Sequence, residues 1–148
     1  MGWSSRQALR LVRLGVLLFL FALITGVLVP KFRVPRLGLS AHLLGISQGL
    51  FLMMTGLLWP KLELTRATSR IGFWLVVYGC FAAWSANILG AIWGAGNSML
   101  PMAAGAAHGS AVQEGIIAAS LRTAAASLIA GLVLILWGLR HAGAARLR

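Results

Sequence analysis

Acidic side chains are nearly missing from this sequence: Glu63 and Glu114 are its two carboxylates. That scarcity excludes a paired-carboxylate active site and argues against an ion-coupled transporter, which needs acids within its spans. The single cysteine, Cys80, excludes an intrachain disulfide and cannot alone hold zinc or an iron–sulfur cluster. No phosphate-cradling glycine loop and no nucleophile–base–orienter set is present. The polar groups are too few for hydrolysis or redox chemistry without a borrowed electrophile, so an enzyme built on this chain would need a cofactor. Between Gly94 and Gln113 there is no lysine or arginine at all.

What the chain has in abundance is apolar surface. Hydrophobic residues make up 59% of 148 positions, and the mean hydropathy is +0.89. A bilayer span takes about 20 apolar residues. Such runs occur over about 12–29, 37–59, 71–93 and 114–139, which predicts a single all-α integral membrane domain, a bundle of four transmembrane helices in the lipid bilayer. The net charge of +11 sits almost entirely in the gaps between these runs. That is topology charge rather than a basic groove with stacking aromatics, so no nucleic-acid partner is expected. Nine basic residues fall on the side of the N-terminus, the 61–70 linker and the tail from Arg140, against three in the 30–36 linker. The positive-inside rule then places both termini in the cytoplasm, in a multi-pass membrane protein. The first run follows Arg6, Arg10 and Arg13 as a signal peptide would, but it ends at Val29-Pro30-Lys31 without a small-x-small cleavage site. It reads as a retained first helix.

The second run, PRLGLSAHLLGISQGLFLMMTGLLWP, carries the one histidine inside a predicted span. His42 lies about one turn from its start, and Gly45, Gly49, Met53 and Gly56 share its stripe of the helix. Glycines in that pattern allow either a flat ligand or another helix to approach the backbone. Arg122 sits two turns into the fourth run, where a guanidinium either snorkels to the interface or anchors an acid such as a cofactor carboxylate. Asn87 lies amid apolar residues of the third run, as interhelical glue or as a pocket donor, and Gln48 poses the same question on the second. Trp84 and Ser85 stand beside Asn87. The tryptophans near span ends, Trp59 among them, suit an interfacial belt. If His42 binds haem iron, no second intramembrane histidine stands at matching depth, which favours an open iron position.

The segment Pro35-Arg36, Leu39-Ser40-Ala41-His42-Leu43, then Gly45, Gly49, Gly56, Trp59 and Pro60, resembles the hydroxylaminobenzene mutases, as does Leu89-Gly90-Ala91-Ile92-Trp93-Gly94-Ala95-Gly96. These are small bacterial membrane proteins that convert hydroxylaminobenzene to 2-aminophenol, and the resemblance covers about residues 9–140. More distantly the chain resembles styrene oxide isomerases, homotrimers with haem b between subunits. That resemblance implies His42 as axial ligand to the haem iron; the glycine stripe then sets Gly45 and Gly49 at the cofactor, and its depth in the span sets Arg122 there. It implies Gln48 in place of a pocket asparagine and Trp84 and Ser85 in the pocket of a small aromatic substrate, where Gln48 and the buried amide of Asn87 are the expected catalytic groups. The isomerases' helix-3 aspartate and tyrosine have no clear counterpart, and Asn87 falls one position late. The expectation is therefore an isomerase acting on an N-arylhydroxylamine rather than on an epoxide. The contrasting expectation is a non-enzymatic subunit, cytochrome-type or an assembly partner of a larger complex.

Overall fold

The computed structural model describes residues 2–140. The tail beyond Arg140, including His141, lies outside the described residues. Four long helices run in alternating directions: α1 (Trp3–Leu28), α2 (Pro35–Leu58), α3 (Arg66–Trp93) and, after a one-turn helix α4 (Pro101–Ala104), α5 (Ala111–Leu139). All four long helices have the length and composition to cross a membrane. They extend beyond the apolar runs at their charged ends, because arginine is a good helix former and needs no apolar neighbour. Thus α1 begins at Trp3 and α3 at Arg66.

The helix ends follow from local chemistry. Pro35 opens α2 at a position whose N–H would be unpaired in any case. Thr65 caps α3 through its hydroxyl, which accepts from the Thr68 N–H at 3.2 Å. Ser110 and Gln113 form a reciprocal capping box on α5. At the far end of α3 the chain turns through Gly94 in the left-handed region, φ 71°. Arg33 donates to the Trp93 carbonyl there at 2.9 Å, tying the first interhelical linker to the end of α3.

Two layers of packing set the architecture. α1 and α2 form an intimate hairpin along a seam of glycines: a Cβ on Gly49 would stand 2.9 Å from the Gly15 carbonyl oxygen, and one on Gly56 2.9 Å from that of Ala8. α2 leans on α3, and α3 in turn carries α5, which buries a single stripe including Ile117, Ala124, Gly131 and Ile135. The interior holds one apolar cluster around Leu11, Leu18, Leu52, Phe73, Val76 and Cys80. A smaller one, of Val34, Leu37, Ala91 and Ala104, sits beneath the α3–α5 connection. The outer faces of α1 and α5 are apolar and exposed, as at Leu20, Ile24, Ile129 and Leu136. In water this would be a liability; against acyl chains it is what a span presents.

One aromatic departs from expectation. Trp59 is not in an interfacial belt but is among the largest fully buried side chains. Its indole N–H is shared between Gln7 Oε1 (3.2 Å) and Ser69 Oγ (3.1 Å), and Ser69 donates to Gln7 at 2.9 Å. A buried donor needs such partners, and this triad joins α1, α3 and the turn after α2.

Candidate functional site

His42 sits in the groove between α2 and the end of α1, half-buried. Its Nδ1 lies 2.7 Å from the Ala22 carbonyl oxygen. A carbonyl only accepts, so Nδ1 carries the proton, and in the neutral ring Nε2 presents its lone pair. This is the arrangement by which metal-ligating histidines are held in one tautomer and made more basic. Gly26, one turn beyond Ala22, makes it possible: a Cβ there would meet Nδ1 at 2.6 Å. The ring borders an open pocket of about 490 Å³ lined by Leu23, Val27, Val29, Pro30 and Leu39. That pocket is apolar and faces outward from the helix pair, with Val27 80% exposed.

Behind this groove the interior is polar at a few points. Ala22 links the two: its carbonyl takes the imidazole N–H, while a Cβ on Gly45 would meet the Ala22 methyl and the Trp84 indole, each at 2.7 Å. Trp84 stacks on Phe21, with ring centroids 5.7 Å apart. Its Nε1 is buried without a hydrogen-bond partner, and so is Oε1 of Gln48. An orphaned donor on α3 and an orphaned acceptor on α2 are costly in a fold, and such groups are kept where something else uses them. Asn87 is in the opposite condition. Its Oδ1 accepts from Ser40 at 3.1 Å and its Nδ2 donates to the Ala83 carbonyl at 3.0 Å, so the amide is engaged as glue between α2 and α3. Ser85 is half-buried on the same helix.

Comparison with known proteins bears on what this arrangement is for. A sequence profile described as styrene oxide isomerase matches residues 7–140. The chain belongs to that family. Hydroxylaminobenzene mutase HabB of Ectopseudomonas oleovorans is 47% identical over 139 residues, covering 94% of this chain and 85% of the relative. Hydroxylaminobenzene mutase HabA of the same organism is 39% identical over 125 residues, covering 84% and 93%. No solved structure matches the chain at a significant level. The protein is accordingly an isomerase.

Within this styrene oxide isomerase family member the expected site residues do not all converge. Gly45 and Gly49, expected beside a cofactor, are filled from α1 and α3: Ala22 and Trp84 crowd Gly45, and Gly15 and Phe19 crowd Gly49. The stripe that in sequence allows either a flat ligand or another helix is a helix seam at these two glycines. Arg122 is exposed on α5, and α5 packs on α3 rather than on the α1–α2 pair that carries His42. Among the described residues no cluster of three or more metal-binding side chains occurs, so His42 is the isolated protein donor of its pocket.

Two features escaped sequence reasoning. Ala22 and Gly26 shape the imidazole through a carbonyl and through a missing side chain, which leave no residue-type signal. Glu114, named from sequence only as one of two carboxylates, organises the α3–α5 connection. Its carboxylate accepts five hydrogen bonds, from the backbone of Gly96, Asn97, Ser98 and Gly109 and from the Ser98 hydroxyl, at 2.9–3.3 Å. The signal was present in a loop without a single basic residue, where backbone N–H groups are the partners left for an acid.

Proposed function

We propose that this isomerase converts an N-arylhydroxylamine such as hydroxylaminobenzene to the 2-aminophenol, with His42 as the residue that would hold a haem iron. The reaction breaks the N–O bond, forms a C–O bond at the ortho carbon and moves the displaced ring proton to nitrogen, with no net change of oxidation state. Support for the substrate class comes from the names of the two relatives. The observation that carries the cofactor reading is the geometry of His42, whose Nδ1 is tied to the Ala22 carbonyl and whose ring borders an apolar pocket. Those residues fit the group: the donor is fixed in tautomer, and Leu23, Val27 and Leu39 offer the apolar contacts a porphyrin face requires. When bound, the haem supplies a Lewis-acidic iron able to draw electron density from a substrate heteroatom.

The chain's own residues supply the remainder. The apolar walls exclude water, so the hydroxyl being transferred is kept from solvent. Gln48 Oε1 and Trp84 Nε1, buried behind the His42 pocket without a protein partner, are the acceptor and the donor that this reading leaves for the substrate's polar groups. Asn87 holds α2 and α3 together behind them rather than binding substrate. The His42 pocket opens sideways from the helix pair, and a second copy of the chain would close it. This is the place for the homo-oligomer, a trimer by family resemblance, and Arg122 of a neighbouring copy is then the cation available to a propionate.

The test is an ultraviolet–visible spectrum of the detergent-purified protein, before and after adding hydroxylaminobenzene, with the His42→Ala variant alongside. A Soret band that shifts with substrate, lost together with activity in His42→Ala, is the expected result. Full activity in His42→Ala overturns the role given to the imidazole. A haem-free preparation that remains active removes the cofactor and leaves the isomerisation.

A further inference from the structure

At the end of the bundle away from His42, two pairs of arginines face one another. Arg6 and Arg10 lie one turn apart on α1, Arg66 and Arg70 one turn apart on α3, and all four line a cleft of about 360 Å³ with Trp3 and Trp74. Like charges at this spacing repel along each helix, and two such pairs across one cleft repel again. The chain has little with which to offset them. Of its two acids, Glu114 is engaged at the opposite end of the helices, which leaves Glu63 against four guanidinium groups.

The same Arg66 and Arg70 also head a second and larger groove. It runs down α3 past Ile71, Trp74 and Leu75 to Tyr78 and has a volume of about 850 Å³. From Arg66 to Tyr78 the helix rises about 18 Å, on the scale of an acyl chain. Ile71, Trp74 and Tyr78 are each about half exposed. Charge above and an apolar channel directly below call for a ligand in which a phosphate and a hydrocarbon tail are joined.

We propose that this cleft and groove form a binding site for an anionic phospholipid, its phosphate held by Arg6, Arg10, Arg66 and Arg70 and one acyl chain lying along Ile71, Trp74 and Tyr78. Arginine forks match phosphate oxygens in geometry as well as charge, and basic pockets between spans are where anionic headgroups bind. The site is separate from the isomerase pocket and stands or falls without it.

Native mass spectrometry and thermal unfolding of the full chain in neutral detergent test it, with phosphatidylglycerol, phosphatidylcholine and inorganic phosphate as three separate additions. Phosphatidylglycerol should be retained and should raise the unfolding midpoint, whereas phosphatidylcholine should do neither. In the Arg66→Gln/Arg70→Gln double variant retention should weaken about tenfold or more, while Arg36→Gln, at the other end of α2, should leave it intact. Ile71→Ala, which touches the groove and not the cleft, should lower phospholipid retention through the groove alone. Equal retention of phosphatidylcholine, or unchanged phosphatidylglycerol binding in the double variant, overturns the proposal. So does inorganic phosphate that matches phosphatidylglycerol, since the site would then be one for a free anion.

Discussion

Adding one methyl group at Gly26 would place a carbon 2.6 Å from Nδ1 of His42 and 2.7 Å from Cε1. The ring would have to leave the Ala22 carbonyl, and with it would go the fixed tautomer. Gly26→Ala should therefore lower turnover by about tenfold or more, the usual scale for lost support of a ligating histidine, while the helical circular dichroism of the detergent-purified protein is unchanged. An intact rate would show that the hydrogen bond to Ala22 does not matter to the chemistry. Gln48 gives the complementary case. Its Oε1 is buried and unpartnered, and exchanging such a group for an apolar one of similar shape is neutral or stabilising. Gln48→Met should hold or raise the thermal midpoint and reduce activity together. A fall in both would mean that Gln48 serves the fold and not the substrate. For Asn87, already engaged on both sides, the expectation reverses: loss of the amide should cost stability first.

Among the helices, the α1–α2 seam and the α3–α5 connection depend on different physics. The seam rests on contact without side chains, so Gly49→Val, which drives carbon into the Gly15 carbonyl and Phe19, should destabilise by about 1–3 kcal/mol in thermal unfolding. The connection rests on one carboxylate. In Glu114→Gln one acceptor oxygen becomes an N–H donor facing Ser98, whose backbone N–H and hydroxyl both bond it now. With those two bonds open to water, the cost should be about 1–2 kcal/mol, read as a lower midpoint and faster amide exchange at 96–98. A midpoint equal to the parent's would demote Glu114 to a capping acid. The four helices themselves were legible, because runs of bilayer length and gaps of charge need no tertiary information. Their extended ends were less so, since Arg6, Arg10, Arg66 and Arg70 lengthen helices without adding hydropathy. His42 could be singled out by depth, but which side of α2 it would face could not. Helical spacing put it in line with Gly45 and Gly49 and could not tell that α1 would take the glycines and leave the imidazole at the rim of the seam.

For the molecule as a whole, α5 is held through α3, and the outer faces of α1 and α5 carry exposed apolar side chains along most of their length. The His42 pocket opens on one of those faces. In an oligomer Val27, at its mouth and 80% exposed, would meet a neighbouring copy. Val27→Cys, labelled in native membranes with a thiol-attached photo-cross-linker, should then give a light-dependent dimer band, Cys80 being buried and out of the label's reach. Absence of that band, with a detergent particle of one chain's mass, would mean that lipid rather than protein covers the site. The α1–α2 seam has one more bearing. The Ala22 carbonyl that polarises the imidazole belongs to one helix and the imidazole to another, and the apolar stretch of the first, residues 12–29, rises about 27 Å against a typical hydrocarbon core of about 30 Å. A span and its bilayer adjust to one another, by tilt where the bilayer is thinner and by local thinning where it is thicker. On the proposed reading of His42 as the iron's ligand, tilting α1 against α2 would alter the bond to Ala22 that sets the donor strength of the imidazole, and turnover should then vary with the thickness of the surrounding membrane.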